Sequence, residues 1–205
     1  VEAAGHIIAQ MGPRPQTPLK ELEAIRRLLS SPVFGALFGF INSAQQVYIG
    51  IYETGEMFPV YFAAVAGMMA VSSFLNSRLV GRIGMRRLAH GALIGFVAVN
   101  TIAFVLSLLG PVPFWLFLAL FSIAMMQFSW IGSNFNALAM EPLPHVAGTA
   151  SAVIGAFGMG LGMPIAAAIG QAFDGTPRPI MLGAVGCSFL ALTLVLTDMG
   201  RERKA

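Results

Sequence analysis

Apolar residues fall into six long runs, at roughly 32–51, 58–79, 88–109, 112–131, 147–169 and 180–196, separated by short polar or charged stretches. Each run is close to the ~20 residues a helix needs to cross ~30 Å of hydrocarbon. Runs this long leave no place for period-two strands, and in lipid a helix satisfies its own backbone. The fold class predicted is an all-α membrane protein, with six transmembrane helices in residues 32–197. Residues 1–31 read as a linker with a short amphipathic helix. Gly12-Pro13-Arg14-Pro15 breaks the chain, Thr17 caps and Pro18 opens a helix, and Leu19, Leu22, Ile25 and Leu28 line one side of it. This helix either lies on the membrane surface in a regulatory role or simply precedes the first span. Residues 198–205 form a tail.

The composition agrees with this pattern. The chain is 57% hydrophobic and 10% charged, against about 25% charged in ordinary soluble domains. Its mean hydropathy is +0.78. The charges give the spans a direction. Arg78, Arg82, Arg86 and Arg87 crowd the stretch 76–87 between the second and third runs, which places that stretch in the cytoplasm. Both termini then lie in the cytoplasm, and of the 12 lysines and arginines only Arg178 falls outside. The net charge of +3 comes from residues at span ends, not on one face, so membrane lipid is the expected partner and nucleic acid is not. The single cysteine, Cys187, excludes an internal disulfide and a thiolate metal cluster. No cofactor or metal is expected. A G-x-x-x-x-G-K loop is absent, and Gly158-x-Gly160-x-Gly162 lies mid-span without a strand before it.

Inside the spans the polar groups are neutral. Asn42, Gln45 and Gln46 share one helical face in the first run, with Tyr48 nearby, and Gln127 sits in the fourth. Lipid cannot satisfy carboxamides, so this face meets protein or water. It lines a substrate cavity, or it holds the bundle by interhelical hydrogen bonds; the sequence admits both. The fifth run repeats small residues at Gly158, Gly162, Ala166 and Gly170, with Gly155 in addition and Pro164 to bend it. A ladder of this kind admits a closely packed partner helix. Gly67 of the second run, between Ala63 and Ala70, is a further small position. The 12 methionines are either filler or an adaptable apolar surface.

The stretch 77–87 resembles the major facilitator superfamily signature G-x-x-x-D-R-x-G-R-R. Arg82, Gly84 and Arg86 match it, while Ser77, Gly81 and Met85 stand in place of its first glycine, its aspartate and its first following arginine. Asn134-Phe135-Asn136-Ala137-Leu138-Ala139-Met140-Glu141-Pro142, Ala147-Gly148-Thr149-Ala150-Ser151 and Gly170-Gln171-Ala172-Phe173-Asp174-Gly175-Thr176 are similar to the tenth-to-twelfth-helix region of the Bcr/CflA-type drug-efflux branch. The resemblance implies the carboxyl-terminal half of a twelve-helix plasma-membrane antiporter, exporting small molecules in exchange for protons. It implies an amino-terminal six-helix half, fused or separate, as partner. It also implies that the loop motif Arg78, Arg82, Gly84, Arg86 and Arg87 clamps helix ends, and that the fifth run packs against that other half. With Gly81 at the aspartate position, this copy lacks the acid of a charge relay.

Such transporters bind substrate at mid-membrane between two repeats. One repeat alone is therefore expected not to transport. A homodimeric half-transporter and a non-transporting scaffold are the alternatives. An intramembrane hydrolase is disfavoured, because His90 and His145 lie at span ends and no serine has a G-x-S-x-G context.

Overall fold

In the computed structural model, residues 46–140, 160 and 162–202 are described. All regular structure among them is helical. A π-helical turn, Gln46–Ile51, leads through a 3-10 turn, Gly55–Met57, into α1, Phe58–Ile83. Then come α2, Met85–Leu109, and α3, Phe114–Met140. A helical stretch over 162–171, α4, precedes the last helix, α5, Arg178–Glu202. Three helices are long and apolar enough to cross a membrane, within Gly55–Ile83, Met85–Leu109 and Phe114–Leu138. Together with the apolar composition they make this a multi-pass membrane protein. The amphipathic segment of residues 1–31, and most of the first and fifth predicted spans, lie outside the described residues.

The helices alternate in direction. Ser72 and Asn76 of α1 pair with Met126 and Asn134 of α3, so these two run parallel. His90 meets Phe135 at one end of the α2–α3 pair and Ala103 clusters with Phe117 at the other, so α2 is antiparallel to α3. The Arg178 Nε donates to the Ser107 carbonyl at 2.9 Å, joining the start of α5 to the end of α2. α2 is the hub, packed most extensively on α3 and next on α5, while α1 rests mainly on α3. One core cluster gathers Leu93, Phe96, Phe128, Ile131 and Ala191 nearer the arginines, and a second gathers Tyr48, Ala103, Phe117, Ile169 and Met181 at the opposite end.

The two ends differ in chemistry. Arg78, Arg82, Arg86 and Arg87 occupy one, whereas Glu53, Glu56, Asp174 and Arg178 occupy the other. The second end is also aromatic. Tyr48, Tyr52, Phe58, Tyr61, Phe114, Trp115 and Phe117 form a chain of ring contacts at 4.7–6.0 Å. Tyrosine and tryptophan favour the membrane–water interface, where an apolar ring and a polar tip are both accommodated. Tyr52 Oη also donates to the Val112 carbonyl at 3.1 Å, tying the first turn to the α2–α3 loop.

The arginine stretch differs from the polar turn that its composition predicts. α1 continues to Ile83 and α2 begins at Met85, so only Gly84 interrupts the helix. Its φ of 87° lies in the region open to glycine and strained for other residues. Gly84 N–H still bonds the Val80 carbonyl at 2.9 Å, and Leu88 N–H the Gly84 carbonyl at 3.1 Å. Arginine is a good helix former, so charge set where the membrane ends but not where the helix ends. α3 and α5 also run past their apolar stretches, to Met140 and Glu202.

Two expected outcomes follow from this packing. A Cβ on Gly183 would meet the Ile169 side chain at 2.5 Å. Gly183→Val should therefore destabilise by about 1–3 kcal/mol in thermal unfolding of the purified protein, with part recovered by adding Ile169→Ala. In the α4–α5 loop, the Thr176 hydroxyl and then its backbone N–H donate to Asp174 Oδ1, at 2.6 and 2.9 Å, and hold the carboxyl below the ordinary aspartate range. Stabilisation from a depressed carboxyl is present above its unfolded pKa and lost as pH falls through the lower folded one. Carbon NMR should show Asp174 titrating below an unstructured aspartate, and Thr176→Val should raise that midpoint.

Candidate functional site

Side chains with polar atoms in a membrane helix must find acceptors inside the protein. Most here do so on their own helix. Thr101 Oγ1 donates to the Val97 carbonyl at 2.7 Å, Ser122 Oγ to Leu118 at 2.7 Å, and Asn100 Nδ2 to Phe96 at 2.8 Å. These bonds satisfy the donors without committing the helix to a neighbour.

The α1–α3 contact is different, because polar groups cross it. Ser72 Oγ donates to the Met126 carbonyl at 2.7 Å, and Trp130 Nε1 donates back to the Ser72 carbonyl at 2.7 Å. Ser73 Oγ and Ser129 Oγ lie 3.0 Å apart. Asn76 Nδ2 donates to Ser133 Oγ at 3.2 Å, and Asn134 Nδ2 to Asn76 Oδ1 at 2.7 Å and to its own Trp130 carbonyl at 2.8 Å. Ser72 and Asn134 are buried, whereas Ser73 and Ser133 are exposed. The result is a polar seam whose inner edge fixes the two helices and whose outer edge presents hydroxyls. Two matching ladders mark it in the sequence, Ser72, Ser73 and Asn76 against Ser129, Ser133 and Asn134. Each is unremarkable alone, and only the parallel packing of α1 and α3 makes them partners.

Of the predicted cavity residues, Asn42 and Gln45 lie outside the described residues, as does the side chain of Gln46. Tyr48 is fully buried, its ring edge-on to Phe58, Phe114 and Phe117. Gln127 lies between α2 and α3, its carboxamide 2.9 Å from where a Cβ of Gly95 would stand, so Gly95 is the residue that lets it fit. Its buried Oε1 has no hydrogen-bond partner among the described residues. A separate cavity of about 30 Å³ lies between α2, α3 and α5, lined by Phe96, Phe117, Phe121, Met125 and Met181, with Asn100 as its one polar side chain. It has room for a water molecule, which needs ~10–15 Å³.

The small-residue positions separate into two groups. Gly155 and Gly158 lie outside the described residues. Gly162 and Ala166 are buried without any second chain, and Gly170 is half-buried. Gly67 is open, with nothing within 4 Å of a Cβ placed there, and Ala63 and Ala70 on the same face of α1 are exposed. Around the loop motif, Arg82 and Arg87 are exposed and the Arg78 guanidinium sits 5.2 Å from the centre of the Phe74 ring. Among the described residues no group of three or more His, Cys, Asp or Glu is placed to hold a metal.

Comparison with known proteins gives one informative likeness. The chain is 28% identical over 160 residues to a bicyclomycin resistance protein homolog of Haemophilus influenzae, a match covering 78% of this chain and 40% of that relative. The chain thus spans well under half the length of the relative. No family model and no solved structure matches it.

The seam and Gln127 should respond oppositely to apolar replacement. Asn134→Leu strips Asn76 Oδ1 of its donor and should cost about 0.6–1.7 kcal/mol, the range for hydrogen bonds between membrane helices. Gln127→Met removes an unpaired oxygen and should be neutral or stabilising. Unfolding of both variants in the same detergent checks the contrast.

Proposed function

We propose that the chain is the carboxyl-terminal six-helix half of a proton-coupled small-molecule efflux transporter of the Bcr/CflA type. It sits in the plasma membrane with both termini in the cytoplasm. The observation that carries this is the alignment to the bicyclomycin resistance homolog, which covers most of this chain and 40% of that protein. The order of the sequence motifs supports the same branch. The charge distribution favours the orientation: four arginines at one end, three carboxylates and one arginine at the other.

The substrate path needs a second half. Transporters of this architecture hold substrate between repeats at mid-membrane, where both contribute walls. This chain offers one wall. The open Ala63–Gly67–Ala70 face of α1 suits close approach by a helix of the other half, and the hydroxyls of Ser73, Ser129 and Ser133 lie beside it on the polar seam. Among the residues with described side chains, no carboxylate lies between the ends of the spans, so the proton carrier belongs to the other half. The function is transport and not catalysis.

Expression of the chain alone, in cells stripped of their own pumps, should give neither bicyclomycin tolerance nor proton-gradient-driven efflux. Co-expression with an amino-terminal six-helix half should restore both. Uncoupler-sensitive efflux by the chain alone would overturn the need for a second half. In that event, crosslinking between copies through a cysteine at Gly67 would identify a homodimer.

A further inference from the structure

We propose that the arginine end of α1 and α2 is a binding site for the phosphate headgroup of an anionic phospholipid, whose acyl chains lie along α1. This requires only that α1 and α2 cross a membrane, and it is independent of any transport activity.

Charge is the first observation. Four arginines lie within ten residues, on helical backbone broken only at Gly84. Arg86 and Arg87 occupy the first turn of α2, where the helix dipole is already positive and disfavours a cation. Among the side chains described, the carboxylates Glu53, Glu56 and Asp174 are all at the opposite end. Asp198 and Glu202 fall in the last turns of α5, which packs on α2. α1 itself carries no carboxylate along its 26 residues.

The second observation is the surface directly below. Val71, Leu75, Arg78 and Arg82 follow spacings of four, three and four, so they form one stripe along α1. Val71 and Leu75 are exposed, as is Phe74 beside them. Arg78 lies over the Phe74 ring, leaning along its own helix with its guanidinium at the boundary between apolar and charged surface. Hydrocarbon below and guanidinium above, in one continuous exposed stripe, matches a phospholipid. A free phosphate would use only the upper part. Each arginine near an anionic bilayer surface is worth enough to change affinity about fivefold.

Gly81 supplies a clean test. It lies among the arginines in ordinary helix, with nothing within 4 Å of an added Cβ, so Gly81→Asp places a carboxylate there without a clash. The purified full chain, reconstituted in nanodiscs of mixed phosphatidylglycerol and phosphatidylcholine, would be analysed for retained lipid by native mass spectrometry. Phosphatidylglycerol should be enriched, and the enrichment should fall about fivefold in Gly81→Asp and further in Arg78→Gln/Arg82→Gln. Arg178→Gln, at the far end, should leave it unchanged. Salt should weaken it in the unmodified chain, as the Debye length shrinks from about 10 Å at 0.1 M to about 3 Å at 1 M. Equal retention of the two lipids, or a preference indifferent to salt and to both variants, would overturn the site. Displacement of phosphatidylglycerol by millimolar inorganic phosphate would overturn its assignment to lipid.

Discussion

Hydrocarbon offers no hydrogen bonds, and the rest of this structure follows from that. Hydroxyls and carboxamides placed on a spanning helix have to look to protein for partners, and among the described residues the buried Gln127 Oε1 finds none. α2 turns Asn100 and Thr101 back onto its own carbonyls. α1 and α3 use theirs across the contact, from Ser72 to Asn134. The first arrangement leaves α2 free to be a hub packed by shape. The second fixes register, because sliding α1 by one residue along α3 would separate Ser72 from Met126 and Asn76 from Asn134 together. The seam also has an outer edge, and its hydroxyls are poorly suited to acyl chains. A polar wall at the side of a bundle is what a shared aqueous path between two halves would use.

Direction comes from the ends. Arginines on one side, and carboxylates and aromatic rings on the other, give the bundle a polarity that no packing interaction supplies. The passage from α1 to α2 is correspondingly sparse. A single glycine in a left-handed conformation turns one spanning helix into the next, with the hydrogen-bond ladder intact on either side. So short a join fixes where both helices begin and end relative to the interface, and it concentrates positive charge at one depth.

Small residues illustrate how one sequence pattern serves two ends. The rungs Gly162 and Ala166 are buried within the chain, where α4 approaches α5 closely enough that Ile169 occupies the space a side chain at Gly183 would need. Ala63, Gly67 and Ala70 on α1, small residues spaced by four and three, remain open. A stripe of small residues therefore does not by itself indicate which face stays available. That depends on which helix the chain itself brings alongside.

Much of the architecture was legible in residue types alone. Run length identified helices, the absence of mid-span charge identified lipid as their surroundings, and arginine placement identified a common end, because each depends on transfer from water to hydrocarbon and needs no neighbour. Helix limits were less legible, since Arg82 and Arg86 are comfortable in helix while uncomfortable in lipid, and the two preferences end at different residues. The polar seam, the seat of Gln127 on Gly95 and the covering of Gly162 were not legible. Each is a relation between residues 32 to 58 positions apart, or a matter of burial. The sequence by itself determined that these helices enter a membrane and that four arginines gather at one end of them; only the tertiary structure decided which polar groups meet and which smooth face is left open, because pairing depends on the rotation and register of whole helices, and no local preference sets those.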